Sequence, residues 1–154
     1  MKITIIGRGR VGGGLAQLWG AAGHQVTGLG RDGGDASGAD VVAVAVPGQL
    51  IEQALAGTTG LAGQVTIDCC NLYTQRDERF LSLSHQIKAT IGGPTAKSFS
   101  TNFAALYEQI AAQRARLSNF FAAEPAARET AERLIRDAGY GPVFVGDLDP
   151  GPGS

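Results

Sequence analysis

Short apolar runs that end at glycine or proline alternate along the chain with stretches whose apolar residues recur every three or four positions. Lys2–Ile6 is a β-branched run that stops at a glycine cluster, the pattern of a buried parallel strand. Val11, Leu15, Leu18, Trp19 and Ala22 then recur at helical spacing, and Gly23 stops that helix. Strands are predicted at Gln25–Leu29, at Ala39–Val46 (closed by Pro47) and at Val65–Cys70 (ending at Asn71), with a short helix at Leu50–Leu55. Arg76–Ile91 predicts a helix of poor pattern, Thr95–Ser100 a strand, and Asn102–Arg116 a helix with Phe103, Leu106, Tyr107 and Ile110 on one face. Leu117–Ala122 predicts a strand. Pro125 suits the first turn of a helix running to about Ala138, which Gly139 ends, and Val143–Val145 is a last short strand.

Strands alternating with helices, the strands apolar throughout, predict an α/β fold: a doubly wound, mostly parallel sheet with helices on both faces. The 154 residues form one expected domain over 1–148, with a tail at 149–154 whose two prolines and two glycines predict disorder. Only Gly30 to Asp40 separates the strand at Gln25–Leu29 from the next, too little for a helix, a strand and a crossover. The third strand of the usual order is therefore expected to be missing, which leaves the strand at Gln25–Leu29 on an open edge. Unpaired edges tend to be covered, so a homodimer is the expected assembly.

Composition narrows the function classes. With 44% hydrophobic and 18% charged residues and a net charge of −1, the chain reads as globular, with no electrostatic case for nucleic acid or an anionic membrane. The apolar run after Lys2 is too short for a signal sequence, so a cytoplasmic protein is expected. Cys69 and Cys70 are neighbours, a spacing that fits neither a metal site nor a redox pair, and no metal is expected.

Chemistry concentrates at Gly7-Arg8-Gly9-Arg10-Val11-Gly12. This GxGxxG follows a strand, opens an amphipathic helix and lies within a strand–helix–strand unit, the context of a Rossmann dinucleotide site. Gly7 permits the tight turn, Gly9 lets the backbone approach a pyrophosphate, and Gly12 lets helix and strand pack closely. Free N–H groups at the helix start, with the macrodipole, favour the diphosphate.

Cofactor choice falls at the tip of the second strand, Leu29-Gly30-Arg31. An NAD site usually carries an acid there for the ribose 2′-hydroxyl, whereas Arg31 suits the 2′-phosphate of NADP(H). Arg8 and Arg10 add positive charge beside the phosphates. Asp32 is the opposing feature, since a small shift of the turn brings it to the ribose.

The nicotinamide is expected over the strand ends beyond the switch point, with Val46 and Pro47 as an apolar wall. Asn71 has two readings, a partner for carboxamide or ribose and a turn former. Thr101 lies at a third strand end, and Thr101 or Asn102 also reads as a helix N-cap. His24 reads as a packing or capping residue, His85 lacks a partner at a useful spacing, and Trp19 reads as helix core. No catalytic residue is identified.

The chain resembles the NADP oxidoreductases that use the deazaflavin coenzyme F-420, and their small dinucleotide-binding relatives. The resemblance rests on Gly7-x-Gly9-x-x-Gly12, Leu15-Ala16, Gly23-His24-x-Val26, Ala39-Asp40-Val41-Val42 with Ala45-Val46-Pro47, Ile67-Asp68 leading to Asn71, Lys97-x-Phe99-x-Thr101, and the late helix running to Asp147-Leu148. It implies NADPH bound as described and direct hydride transfer to a stacked flavin-like ring, a reaction that needs positioning and exclusion of water more than an acid or base. The chain departs from the family at Ser100, where members carry Asn, at Ala122-Ala123-Glu124, where they carry an acidic glycine turn, and past Leu148, where they continue.

Three functions are open on these grounds. The first is an NADPH-dependent oxidoreductase passing hydride to a deazaflavin, a flavin or a small organic acceptor. The second is a non-catalytic NADP-binding sensor or subunit. The third is a reductase of the 3-hydroxyacid dehydrogenase or imine reductase type, which needs an added helical domain.

Overall fold

The computed structural model describes residues 1–70, 79–99 and 117–148. Its elements are β1 (Lys2–Ile6), α1 (Arg10–Ala21), β2 (Gln25–Leu29), β3 (Gly34–Asp35), β4 (Val41–Val44), α2 (Ile51–Ala56), β5 (Thr58–Thr59), β6 (Val65–Asp68), α3 (Leu83–Ile91), β7 (Thr95–Lys97), β8 (Ser118–Ala123), α4 (Pro125–Asp137) and β9 (Gly141–Gly146). Seven strands form one sheet in the order β2-β1-β4-β6-β7-β8-β9, parallel at every step except the antiparallel β7–β8 pair. The expected α/β doubly wound, mostly parallel architecture is thus observed. The reversal at β8 carries a further strand–helix–strand unit, β8–α4–β9, docked against the main sheet.

Among the described residues, strand β2 is the sheet edge and the usual third strand is absent, as the short Gly30–Asp40 connection predicted. Gln25 to Gly28 alternate between exposed and partly buried, and only Leu29 at the strand's end is buried. The connection itself does something the sequence did not signal. Gly34–Asp35 pairs with Thr58–Thr59 as a separate two-residue parallel ladder.

Two apolar layers sandwich the sheet. Against one face, Leu15 and Trp19 of α1 and Ala127, Ala131, Leu134 and Ile135 of α4 pack on Ile3, Ile5, Val41, Ala43 and Ile67. The buried Trp19 Nε1 donates to the Leu134 carbonyl at 2.8 Å and ties the two helices together. Against the other face, Ile51 and Leu55 of α2 and Leu83, Ile87 and Ile91 of α3 pack on Ile6, Val42 and Val44. Alternate residues of one strand feed opposite layers, which is why these strands read as continuous apolar runs.

Helix α3 is shorter than the predicted Arg76–Ile91. It begins at Leu83 because Ser82 caps it, its side chain accepting from the His85 backbone N–H at 3.2 Å, while Gly92 closes it in the left-handed region. The predicted helix at 102–116 and the tail at 149–154 lie outside the described residues.

Candidate functional site

The C-terminal ends of β1, β2 and β4 converge where the strand order reverses, and the glycine loop joins the first of them to α1. Gly7 hydrogen-bonds through its N–H to the Leu29 carbonyl at 2.9 Å, fixing the loop to the tip of β2. Its φ of +121° belongs to glycine, and a Cβ there would stand 2.2 Å from the Ala45 carbonyl oxygen. Gly12 is buried with equal necessity beneath the loop, where a Cβ would lie 2.1 Å from the Gly7 carbonyl oxygen.

Gly9 differs from both. Its φ is −68°, open to any residue, and a Cβ there would meet nothing within 4 Å. The fold does not require glycine at this position; what its absent side chain leaves is room directly before the first turn of α1. Gly9 is the N-cap of that helix without a side-chain cap, and the first turn carries no acidic residue. The first N–H groups of the helix face that room without an intrahelical acceptor.

The loop opens onto a cavity of about 710 Å³, within the usual span of small-molecule and cofactor sites. Gly7, Arg8, Gly9, Gly30, Arg31, Val46 and Pro47 all line it, so seven of the predicted site residues come together. A neighbouring recess of about 200 Å³ is lined by Arg10 and Val11, with Gly9, Val46, Pro47 and Cys69. Gly9, Ala45, Val46 and Pro47 line both spaces. Asn71 and Thr101 lie outside the described residues.

The charged side chains lining the larger cavity, Arg8 and Arg31, are both guanidinium groups. Arg31 occupies a tight turn closed by the Gly33 N–H donating to the Gly30 carbonyl at 3.0 Å. Asp32, the next residue of that turn, is exposed and does not line the cavity. The Arg8 side chain runs towards the tip of β2. It folds across β2, its Nε and Nη2 donating to the Gly28 carbonyl at 3.0 and 2.8 Å.

Sequence reasoning missed the wall opposite. Leu50, Gln53 and Ala54 of the α2 region, with Gly57 and Thr58, complete the cavity. Thr58 Oγ1 donates to the Ala54 carbonyl at 2.9 Å, and Gly33 approaches Gly57 so closely that a Cβ would lie 2.0 Å from its carbonyl oxygen. The side left without a third strand is thus partly walled by the β3–β5 ladder and α2. Asp35 of that ladder has its carboxyl held below its ordinary range by hydrogen bonds from Ser37 and Thr59.

The remaining candidates have structural partners. His24 sits between the N-terminal amine, 3.1 Å from Nδ1, and Asp137, 2.6 Å from Nε2. His85 Nδ1 bonds the capping Ser82 hydroxyl at 2.7 Å. Burial pushes both the Cys69 and Cys70 thiols up, so neither is a nucleophile near neutral pH. Asp68, fully buried at the end of β6, accepts from the Cys70 N–H at 2.8 Å and the Ser84 hydroxyl at 2.5 Å, with Lys97 Nζ at 3.4 Å. Among the described residues, no cluster of His, Cys, Asp or Glu could hold a metal ion, and no helix is long and apolar enough to cross a membrane.

No protein-family model and no curated protein matches the chain. Solved structures do. A protein from Arthrobacter sp. FB24, provisionally designated an F420-dependent NADP reductase, is similar at 24% identity and a TM-score of 0.76 over 96% of this chain and 85% of that one. A hypothetical protein from Sinorhizobium meliloti is similar at 23% identity and a TM-score of 0.73 over 96% and 86%. A reductive aminase from Aspergillus terreus, solved in complex with NADPH and ethyl-5-oxohexanoate, gives 16% identity and a TM-score of 0.68 over 95% of this chain and 55% of that one. These likenesses are of fold: the chain has a Rossmann-type α/β fold.

Proposed function

We propose that the chain binds NADP(H) at this cavity and acts as an NADP-dependent oxidoreductase. The observation that carries the reading is Gly9. Neither backbone conformation nor packing requires a glycine there, yet the position opens at a helix start into a cavity whose charged side chains are Arg8 and Arg31. Space, unpaired N–H donors and two cations together suit a phosphorylated dinucleotide.

In this reading the α1 N-terminus receives the diphosphate and Arg31 pairs with the phosphate on the adenosine ribose. Val46 and Pro47 flank the ring, with the recess at Arg10, Val11 and Cys69 beside them. The bound dinucleotide supplies a hydride donor or acceptor. The chain's own part is to hold the ring and exclude water, and direct hydride transfer requires no acid–base pair. The resemblance to the F-420 oxidoreductases, and the designation of the Arthrobacter protein, support a deazaflavin as the acceptor, with a flavin or a small organic acceptor as the alternatives.

Calorimetric titration with NADPH and NADH tests the binding, and NADPH consumption with deazaflavin, FMN and quinone acceptors tests the reaction. Tighter binding of NADPH with turnover on one acceptor is expected. Equal affinity for the two coenzymes would defeat the NADP reading, and tight binding without turnover would assign a binding module instead.

A further inference from the structure

Strand β2 is an edge, and its carbonyls alternate in direction. The Leu29 carbonyl points towards β1, since it accepts from the Gly7 N–H, so the Gly28 carbonyl points to the open side. In the usual strand order a third strand would take that carbonyl. Here the Arg8 guanidinium takes it, donating from Nε and Nη2 at 3.0 and 2.8 Å. The stem crosses the strand over two residues without side chains. Arg8 Cγ and Nε lie 3.7 Å from the position of a Cβ at Gly28, and Cδ lies 3.5 Å from that at Gly30.

This contact does more than satisfy an edge carbonyl. It holds the Arg8 head against the tip of β2, beside Gly30, on the wall of the same cavity as Arg31. A guanidinium has five N–H donors, and two serve Gly28. The rest, on Nη1 and the second Nη2 hydrogen, remain for a ligand. A phosphomonoester carries about −1.5 to −2 charges near neutral pH, so two cations match it better than one. A side chain already fixed at one edge loses little rotamer freedom when its other edge binds.

We propose that Arg8 is the second specificity-determining residue for the 2′-phosphate, locked to Gly28 on one edge and offering the other to the ligand opposite Arg31. The proposal rests on the NADP(H) reading above and deepens it. Arg8 leaves the diphosphate to the helix start and joins the site that discriminates the ribose. The missing third strand makes this arrangement possible, because it frees the carbonyl that anchors the side chain.

The test compares adenosine 2′,5′-bisphosphate with adenosine 5′-monophosphate, titrated calorimetrically into the full chain and its Arg8→Gln, Arg8→Lys and Arg31→Gln variants. Arg8→Gln should weaken the bisphosphate by about ten- to a hundredfold, the effect of one charge-assisted contact, and leave the monophosphate within about threefold. Arg8→Lys should recover only part of the loss, since an ammonium lacks the fork that grips Gly28 and a phosphate together. Equal weakening of both probes by Arg8→Gln, or no weakening while Arg31→Gln abolishes discrimination, would overturn the role of Arg8 and leave the NADP(H) reading standing. Failure of the unmodified chain to prefer the bisphosphate would overturn both. Should Arg8→Gln not fold, modification of the unmodified chain by phenylglyoxal decides. The Arg8 peptide should be protected by saturating bisphosphate and not by saturating monophosphate, and equal protection by the two would refute the proposal.

Discussion

The carbonyl oxygen of Gly7 stands 2.1 Å from the point where a Cβ of residue 12 would be, so the first turn of α1 rests directly on the end of β1. That oxygen is backbone and cannot swing aside. Gly12→Ala is therefore expected to lower stability by about 2 kcal/mol or more, through displacement of the helix from the sheet. A denaturant midpoint measured without coenzyme checks it, and an unchanged midpoint would show that the loop yields easily.

Gly9→Thr is expected to do the reverse. Threonine is nearly as good an N-cap as glycine, φ is ordinary, and the Cβ has free space, so unliganded stability should stay within about 1 kcal/mol of the parent. The added side chain would occupy the room before the helix start, and NADPH affinity should fall at least about tenfold. The two glycine variants thus separate a packing glycine from a binding one. Parent-like NADPH affinity in Gly9→Thr would remove the observation on which the functional proposal depends.

Much of this was legible in the chain, for reasons tied to particular residues. Lys2–Ile6 and Gln25–Leu29 fall at their predicted bounds because the apolar run or its alternation ends at a glycine that also ends the strand. The glycine loop, Arg31, Val46 and Pro47 meet in space because strand ends at a switch point must converge. The β3–β5 ladder and the Gln53–Thr58 wall were not legible, since two-residue strands have no periodicity and their pairing depends on the Gly33–Gly57 approach. The course of Arg8 was hidden likewise. A side chain's choice between a phosphate and an edge carbonyl is set by tertiary geometry, although the two glycines at 28 and 30 are the trace it leaves in the sequence.

Trp19→Phe probes the joint between the two strand–helix–strand units. The indole is fully buried and donates to Leu134, and its ring stacks edge-on to Phe99 at a centroid distance of 5.9 Å. Phenylalanine removes the donor and leaves a small void. The Leu134 carbonyl keeps a second partner in the Ala138 N–H at 3.0 Å, so it is not orphaned. The loss is expected near 2–3 kcal/mol, read as a lower thermal midpoint by roughly 2–4 °C per kcal/mol in a chain of this size. A shift under one degree would show that the helices are held mainly by the surrounding aliphatic contacts.

Alkaline pH should weaken the fold through the paired cysteines. Burial, reinforced by the neighbouring charges at Asp68 and, for Cys69, at Cys70, raises both thiols well above their ordinary range. An unfolded cysteine ionises near about 8.5, whereas the folded thiols stay protonated, so the unfolded state gains free energy as pH rises past that value. Stability is therefore unaffected by these groups below about pH 8 and declines above about 8.5, by at most about 1.4 kcal/mol per pH unit for each thiol. Tyr140, raised by burial to about 12, adds its own decline only where an unfolded tyrosine ionises, above about pH 10. The interval from about 8.5 to 10 consequently separates the cysteines from Tyr140. Denaturation curves of the parent across it should slope downward, and those of a Cys69→Ala, Cys70→Ala variant should be flatter, whatever its absolute stability. Identical slopes would place the alkaline sensitivity elsewhere and show that the two thiols ionise in the folded chain as readily as in water.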